Sequence, residues 1–171
     1  QTLFPDTGLF VFFGGTARNL VSDANGGVVI LTGSYDPKDF RLHRLNEEGL
    51  PRWPGGVAIS SPDSIFENVL TSDGASGGFV VWSKQDSNEL NIYAQWIDSS
   101  GTRRYGASGT PICNANYLQQ YPVVVNTGPH VAITAWNDSR HTNPIQYWSV
   151  YGAKLRENGI VSVEKKRNEL P

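Results

Sequence analysis

The chain has 171 residues, of which 39% are hydrophobic and 18% charged, with a net charge of −2. That is enough for one domain with its own core, and too apolar for a disordered chain. No apolar run approaches the roughly twenty residues of a membrane span, and the acidic balance offers no field for phosphates, so neither a membrane segment nor a nucleic-acid partner is expected.

Residues 1–18 read as an incomplete unit, with Gly8-Leu9-Phe10-Val11-Phe12-Phe13 as a strand behind a Pro-Asp-Thr-Gly turn. Three units of about fifty residues follow, at 19–67, 68–120 and 121–163. Each opens on a short apolar run: Asn19–Asp23, Asn68–Asp73 and Tyr121–Asn126. Each then crosses a polar or glycine-bearing turn into a second run: Val28–Leu31, Phe79–Trp82 and Ile133–Trp136. A third run closes on a polar turn ending in Gly49, Gly101 or Gly159, and a fourth appears at Val57–Ile59, Pro111–Cys113 and Ile160–Val163. Residues 164–171, with Lys165-Lys166-Arg167, read as a solvated tail or linker.

Four short strands per unit of this length is the pattern of a β-propeller blade. The expected fold is all-β: three four-stranded antiparallel blades, forming a partial propeller or half of an oligomeric ring. Three blades do not close a ring, and an open arc leaves two apolar sheet faces bare. The chain is therefore expected to be a piece of a longer propeller, or to assemble with copies of itself, two chains giving six blades. The strand at Gly8–Phe13 belongs to a preceding blade or completes the third one.

Period-2 patterning supports strands buried on both sides. In Asn91–Asp98, Ile92, Ala94 and Trp96 share one face, while Tyr93, Gln95 and Ile97 share the other. Trp82 and Trp136 align as core fillers between blades, with Leu31 at the matching place in the first unit.

The sequences Gly77-Gly78-Phe79-Val80-Val81-Trp82, Ile92-Tyr93-Ala94-Gln95, Asp98-Ser99-Ser100-Gly101 and Ala135-Trp136-Asn137-Asp138-Ser139-Arg140 carry a further signal. They resemble a blade repeat of large secreted bacterial proteins, often of the Bacteroidetes kind. The resemblance covers about residues 19–163 and implies a propeller fold and an extracellular or cell-surface location. The last nine residues resemble the linker before a type IX sorting domain. The first unit departs from the pattern, with neither the strand Trp nor the Asp-x-Arg. The chain contains no methionine and starts at Gln1, as expected of a processed or excerpted chain.

The stretch from the second to the third strand is longer in the third unit than in the second because of an insertion at His141–Trp148. Inserted loops in repeat proteins gather on one face, often the binding face. Tyr147 and Trp148, with His141 and Asn143 beside them, suit stacking on sugar rings, with amides and imidazole for the hydroxyls. Asp138 and Arg140 read as a turn cap with its paired cation, and as a second candidate for ligand contact. No metal site, cofactor or disulfide is expected: the single Cys113 reads as a small buried side chain, and no Cys/His cluster exists.

The Ser22–Gly27 and Ser72–Gly78 turns lack the alternating oxygens of a calcium loop. No nucleophile elbow, zinc-protease motif or phosphate loop is present. The expected role is a non-catalytic interaction or structural module. Its expected partners are other copies of itself or other parts of a surface assembly. The alternatives are a lectin-like module and a fragment of a larger secreted enzyme.

Overall fold

The computed structural model describes residues 15–35, 38–60, 65–87, 89–140 and 148–162. Every regular element among them is a strand. The first sheet holds β1 (Thr16–Ser22), β2 (Val28–Tyr35), β3 (Lys38–Leu45) and β4 (Val57–Ala58). The second holds β5 (Ile65–Ser72), β6 (Gly78–Asp86), β7 (Glu89–Ile97) and β8 (Thr110–Cys113). The third holds β9 (Gln119–Gly128), β10 (Val131–Asp138), β11 (Ser149–Arg156) and β12 (Gly159–Ser162). Each is an antiparallel meander, every strand pairing with its sequence neighbour. The strand at Gly8–Phe13 lies outside the described residues.

The sheets stack face to face, and alternation along each strand divides the side chains between two cores. In β6, Val80 and Trp82 enter a core shared with the first sheet, where they meet Val29, Leu31, Phe40 and Leu42. Phe79 and Val81, one residue out of phase, enter a second core with Ala132, Trp136, Ala153 and Leu155 of the third sheet. Strand β7 divides the same way: Ile92, Ala94 and Trp96 join the second core, and Ile97 with Tyr93 joins the first. The middle sheet is thus buried on both faces, which is why its strands read as continuous apolar runs.

The turns fix the register of the repeat. Asp23 and Asp73 close equivalent turns: the N–H of each bonds the carbonyl of Gly27 or Gly77, at 3.0 and 3.1 Å. One Oδ1 then collects two backbone N–H groups in each turn, from Asn25 and Gly27 at 2.8 Å, and from Ala75 and Gly77 at 2.8 and 2.7 Å. Gly77 admits no side chain, because a Cβ there would lie 2.3 Å from the Ile97 carbonyl oxygen and 2.5 Å from the Asp73 carboxylate. Counting from these turns places Thr32 opposite Trp82, and Leu31 opposite Val81. Leu31 and Trp82 are both fully buried and share one core, but they come from facing sheets rather than from one position of the repeat. A slip of one residue turns a strand's side chains to the other face, so the alignment of Leu31 with the two tryptophans is corrected here.

The junctions between sheets also repeat. The Ser76 N–H donates to the Asp23 carbonyl at 3.0 Å, and the His130 N–H, at the same position of the next unit, donates to the Asp73 carbonyl at 2.7 Å. Both donors hold left-handed backbone, with φ of 72° and 56°. At the second junction the Asn126 N–H adds a bond to Thr71 Oγ1 at 3.1 Å, and the Tyr105 hydroxyl donates to the Arg156 carbonyl at 2.7 Å.

Candidate functional site

Asp138 ends β10 with its side chain fully buried. Its Oδ1 accepts from the Arg140 N–H and Nε, both at 2.9 Å, and its Oδ2 accepts from the Trp136 indole at 3.1 Å and from Arg140 Nη2. Burial alone would raise the Asp138 carboxyl, but the hydrogen bonds from Arg140 and Trp136 outweigh it and hold the group below the ordinary carboxylate range. The Arg140 guanidinium also donates to Cys113 Sγ at 2.8 Å and lies 4.0 Å from the centre of the Tyr151 ring. Burial pushes the Cys113 thiol up, so it stays protonated at neutral pH.

This corner has relatives at the same end of the other sheets. In the second sheet Lys84 pairs with Asp86 at 3.5 Å and sits 4.9 Å from the Tyr93 ring centre. Tyr93 pairs across the ladder with Trp82, as Tyr151 does with Trp136. In the first sheet Arg41 pairs with Asp39 at 2.8 Å, from the third strand rather than the second. The Asp-x-Arg absent from its second strand is therefore present one strand later, a match that strand-by-strand comparison of the units does not reveal. An acid and a cation two residues apart pair at this end of all three sheets, and both Asp138 carboxylate oxygens are taken up by Arg140 and Trp136.

Trp148 stands immediately before β11 and is 48% exposed. It is the member of the sugar-stacking set that the described residues contain; His141, Asn143 and Tyr147 lie outside them. Trp136, by contrast, is buried in the second core.

The opposite end of the stack carries a hollow of about 330 Å³ beside Asp23, Arg44, Glu47, Glu48 and Arg52. Arg44 Nε donates to Asp23 Oδ2 at 3.0 Å, and its Nη1 reaches the Ser99 carbonyl of the second sheet at 3.4 Å. Trp96 holds the equivalent place in the second sheet and donates from its indole to Asp73 Oδ2 at 3.0 Å. The hollow's floor is therefore an inter-sheet brace. Sequence reading placed Glu47 and Glu48 in a turn without linking them to Asp23, because the connection crosses from one hairpin end to another. Among the described residues no three His, Cys, Asp or Glu side chains group to hold a metal ion.

Comparison with family models, with curated proteins and with solved structures finds no match.

Proposed function

We propose that the chain is a non-catalytic interaction or structural module of a secreted surface assembly. Its three sheets are consecutive propeller blades, and its leading partner is another copy of itself. One observation carries this reading: the stack ends on an open apolar face. On the outward side of the third sheet, Val123, Val125, Ile133 and Val150 are exposed by 62%, 57%, 42% and 76%. Cross-strand pairing of Val125 with Ile133 sets them side by side. Exposed large apolar side chains gathered on one sheet face mark an interaction surface. The aspartates of the hairpin corners and turns, Asp23, Asp39, Asp73, Asp86, Asp98 and Asp138, are tied into structural hydrogen bonds, which favours binding over catalysis. Light scattering after size exclusion, from micromolar concentration upward, is expected to give a mass that is a multiple of 18.8 kDa. A single-chain mass at every concentration overturns the partnership with copies.

The half-exposed Trp148 favours a second reading, a lectin-like module that stacks glycans on this indole. Tryptophan fluorescence is then expected to shift with one class of sugar in a broad glycan panel, and to lose that response in Trp148→Ala. A silent panel sinks this reading.

A further inference from the structure

We propose that the open face of the third sheet is the docking surface for strand β1 of a second copy of this chain, joined head to tail as the sheets within one chain are joined. The proposal rests on the self-association reading above and names the surfaces that carry it.

Both internal junctions follow one rule: the first strand of the following sheet lies against the preceding sheet. Strand β5 packs on β1, and β9 packs on β5, β6 and β7. Counted from the turns, Leu70 and Val124 hold one position, and both project back into the preceding sheet. Leu70 converges with Leu42 of the first sheet beside Gly78, where a Cβ would lie 3.1 Å from one and 3.4 Å from the other. The same position in β1 is Leu20, which is 60% exposed. The rest of β1 is open or half-open along its length, although Ile30, Thr32 and His43 behind it are buried.

The forward half of the junction is equally regular. Phe40 and Ile92 hold one position in the first and second sheets, fixed by pairing with Gly33 and Ser83, and both are buried against the next sheet. The same position in the third sheet is Val150, paired with Asn137 and the most exposed large apolar side chain of the described residues. Val29 and Phe79 are buried where Ile133 stands half open. At the position of Leu42 the third sheet has Gly152, where an added Cβ would meet only the Thr134 carbonyl of its own sheet. That leaves a hollow for an incoming leucine.

The polar part of the junction is half supplied as well. Gly26 stands where Ser76 and His130 stand in their units, and it shares their left-handed backbone, with φ of 83°. Those two residues donate their N–H groups to the preceding sheet. The Gly26 residue is exposed, and among the described residues nothing accepts from its N–H. One end of the stack thus carries an unused donor and an unused leucine, and the other end carries the unused apolar face. A contact between different faces propagates until it closes; two copies would set six sheets in sequence, and a failure to close would give a filament.

The test compares the wild-type chain with Leu20→Glu, Ile133→Glu and Val150→Glu by light scattering, each alone and in equimolar mixture. All three positions are exposed in the single chain, and circular dichroism checks that each variant folds. Each variant alone is expected to fall to the single-chain mass. Mixing Leu20→Glu with Ile133→Glu is expected to restore a two-chain particle, because one intact face of each kind remains. If Leu20→Glu still associates, or if the mixture stays monomeric, the head-to-tail junction is wrong while self-association stands. A wild-type monomer overturns both, and the face then belongs to a different protein or to a further sheet in cis.

Discussion

Trp82→Ala is expected to lower the unfolding free energy by about 3–5 kcal/mol, the range for removing a large aromatic side chain from a packed core. Trp82 is fully buried, spans the first core from the middle sheet, and stacks on Tyr93 with ring centres 6.1 Å apart. Gly109 presses its backbone close against the indole edge: a Cβ there would lie 2.4 Å from the ring. A wall held so closely to the ring has little freedom to collapse into the space left by alanine. Trp82→Phe separates ring volume from the indole N–H. That N–H is buried with no hydrogen-bond partner, so the phenylalanine variant keeps most of the packing and discards an unsatisfied donor. Urea denaturation checks both. A loss below about 1 kcal/mol for the alanine variant would mean that the inter-sheet core is not what holds the first two sheets together.

The second large effect is expected from Asp73→Ala, at about 3 kcal/mol or more, since several buried donors lose a charged acceptor at once. Asp73 is fully buried. Its carboxylate accepts from two backbone N–H groups of its own turn and from the Trp96 indole, and it lies 3.5 Å from His130 Nδ1 of the third sheet. The turn it shapes offers the carbonyl that receives the His130 N–H, so the damage reaches the second junction as well as the second sheet. Asp73→Asn keeps one acceptor for the turn but aims an amide at the indole N–H, and is expected to fall between wild type and alanine. Melting temperatures of the three proteins rank them, and an alanine variant as stable as wild type would show the turn to be set by its glycines alone.

Much of the layering was legible in the sequence because period-2 alternation survives in strands that are apolar on both sides. The assignment of Ile92, Ala94 and Trp96 to one face and of Tyr93 and Ile97 to the other is the division that the two cores display. The four runs of each unit also became four paired strands. The alignment across units was less legible. Large aromatics attract comparison, and matching Leu31 to Trp82 crossed a one-residue step that the Asp turns would have exposed. The turn carboxylates were read only as turn formers. Their contacts with Arg44 and Trp96 come from strands about twenty residues away, and a spacing of that size has no local signature. Of the inserted loop only Trp148 lies among the described residues, and its exposure is the observation that bears on the sugar-binding idea.

The three sheets have unequal numbers of neighbours, and this bears on how the chain comes apart. Treated as a row of units coupled only to those adjacent, the outer sheets each feel one coupling and the middle sheet feels two. Peeling away an end sheet dissolves one core and leaves the other standing, whereas loosening β5–β8 dissolves both. The slowest-exchanging amides of the chain should therefore lie on β6 and β7, at the centre of the row. A partner sheet seated on the third would extend that protection outward, giving β10 the second coupling that it lacks in a single chain.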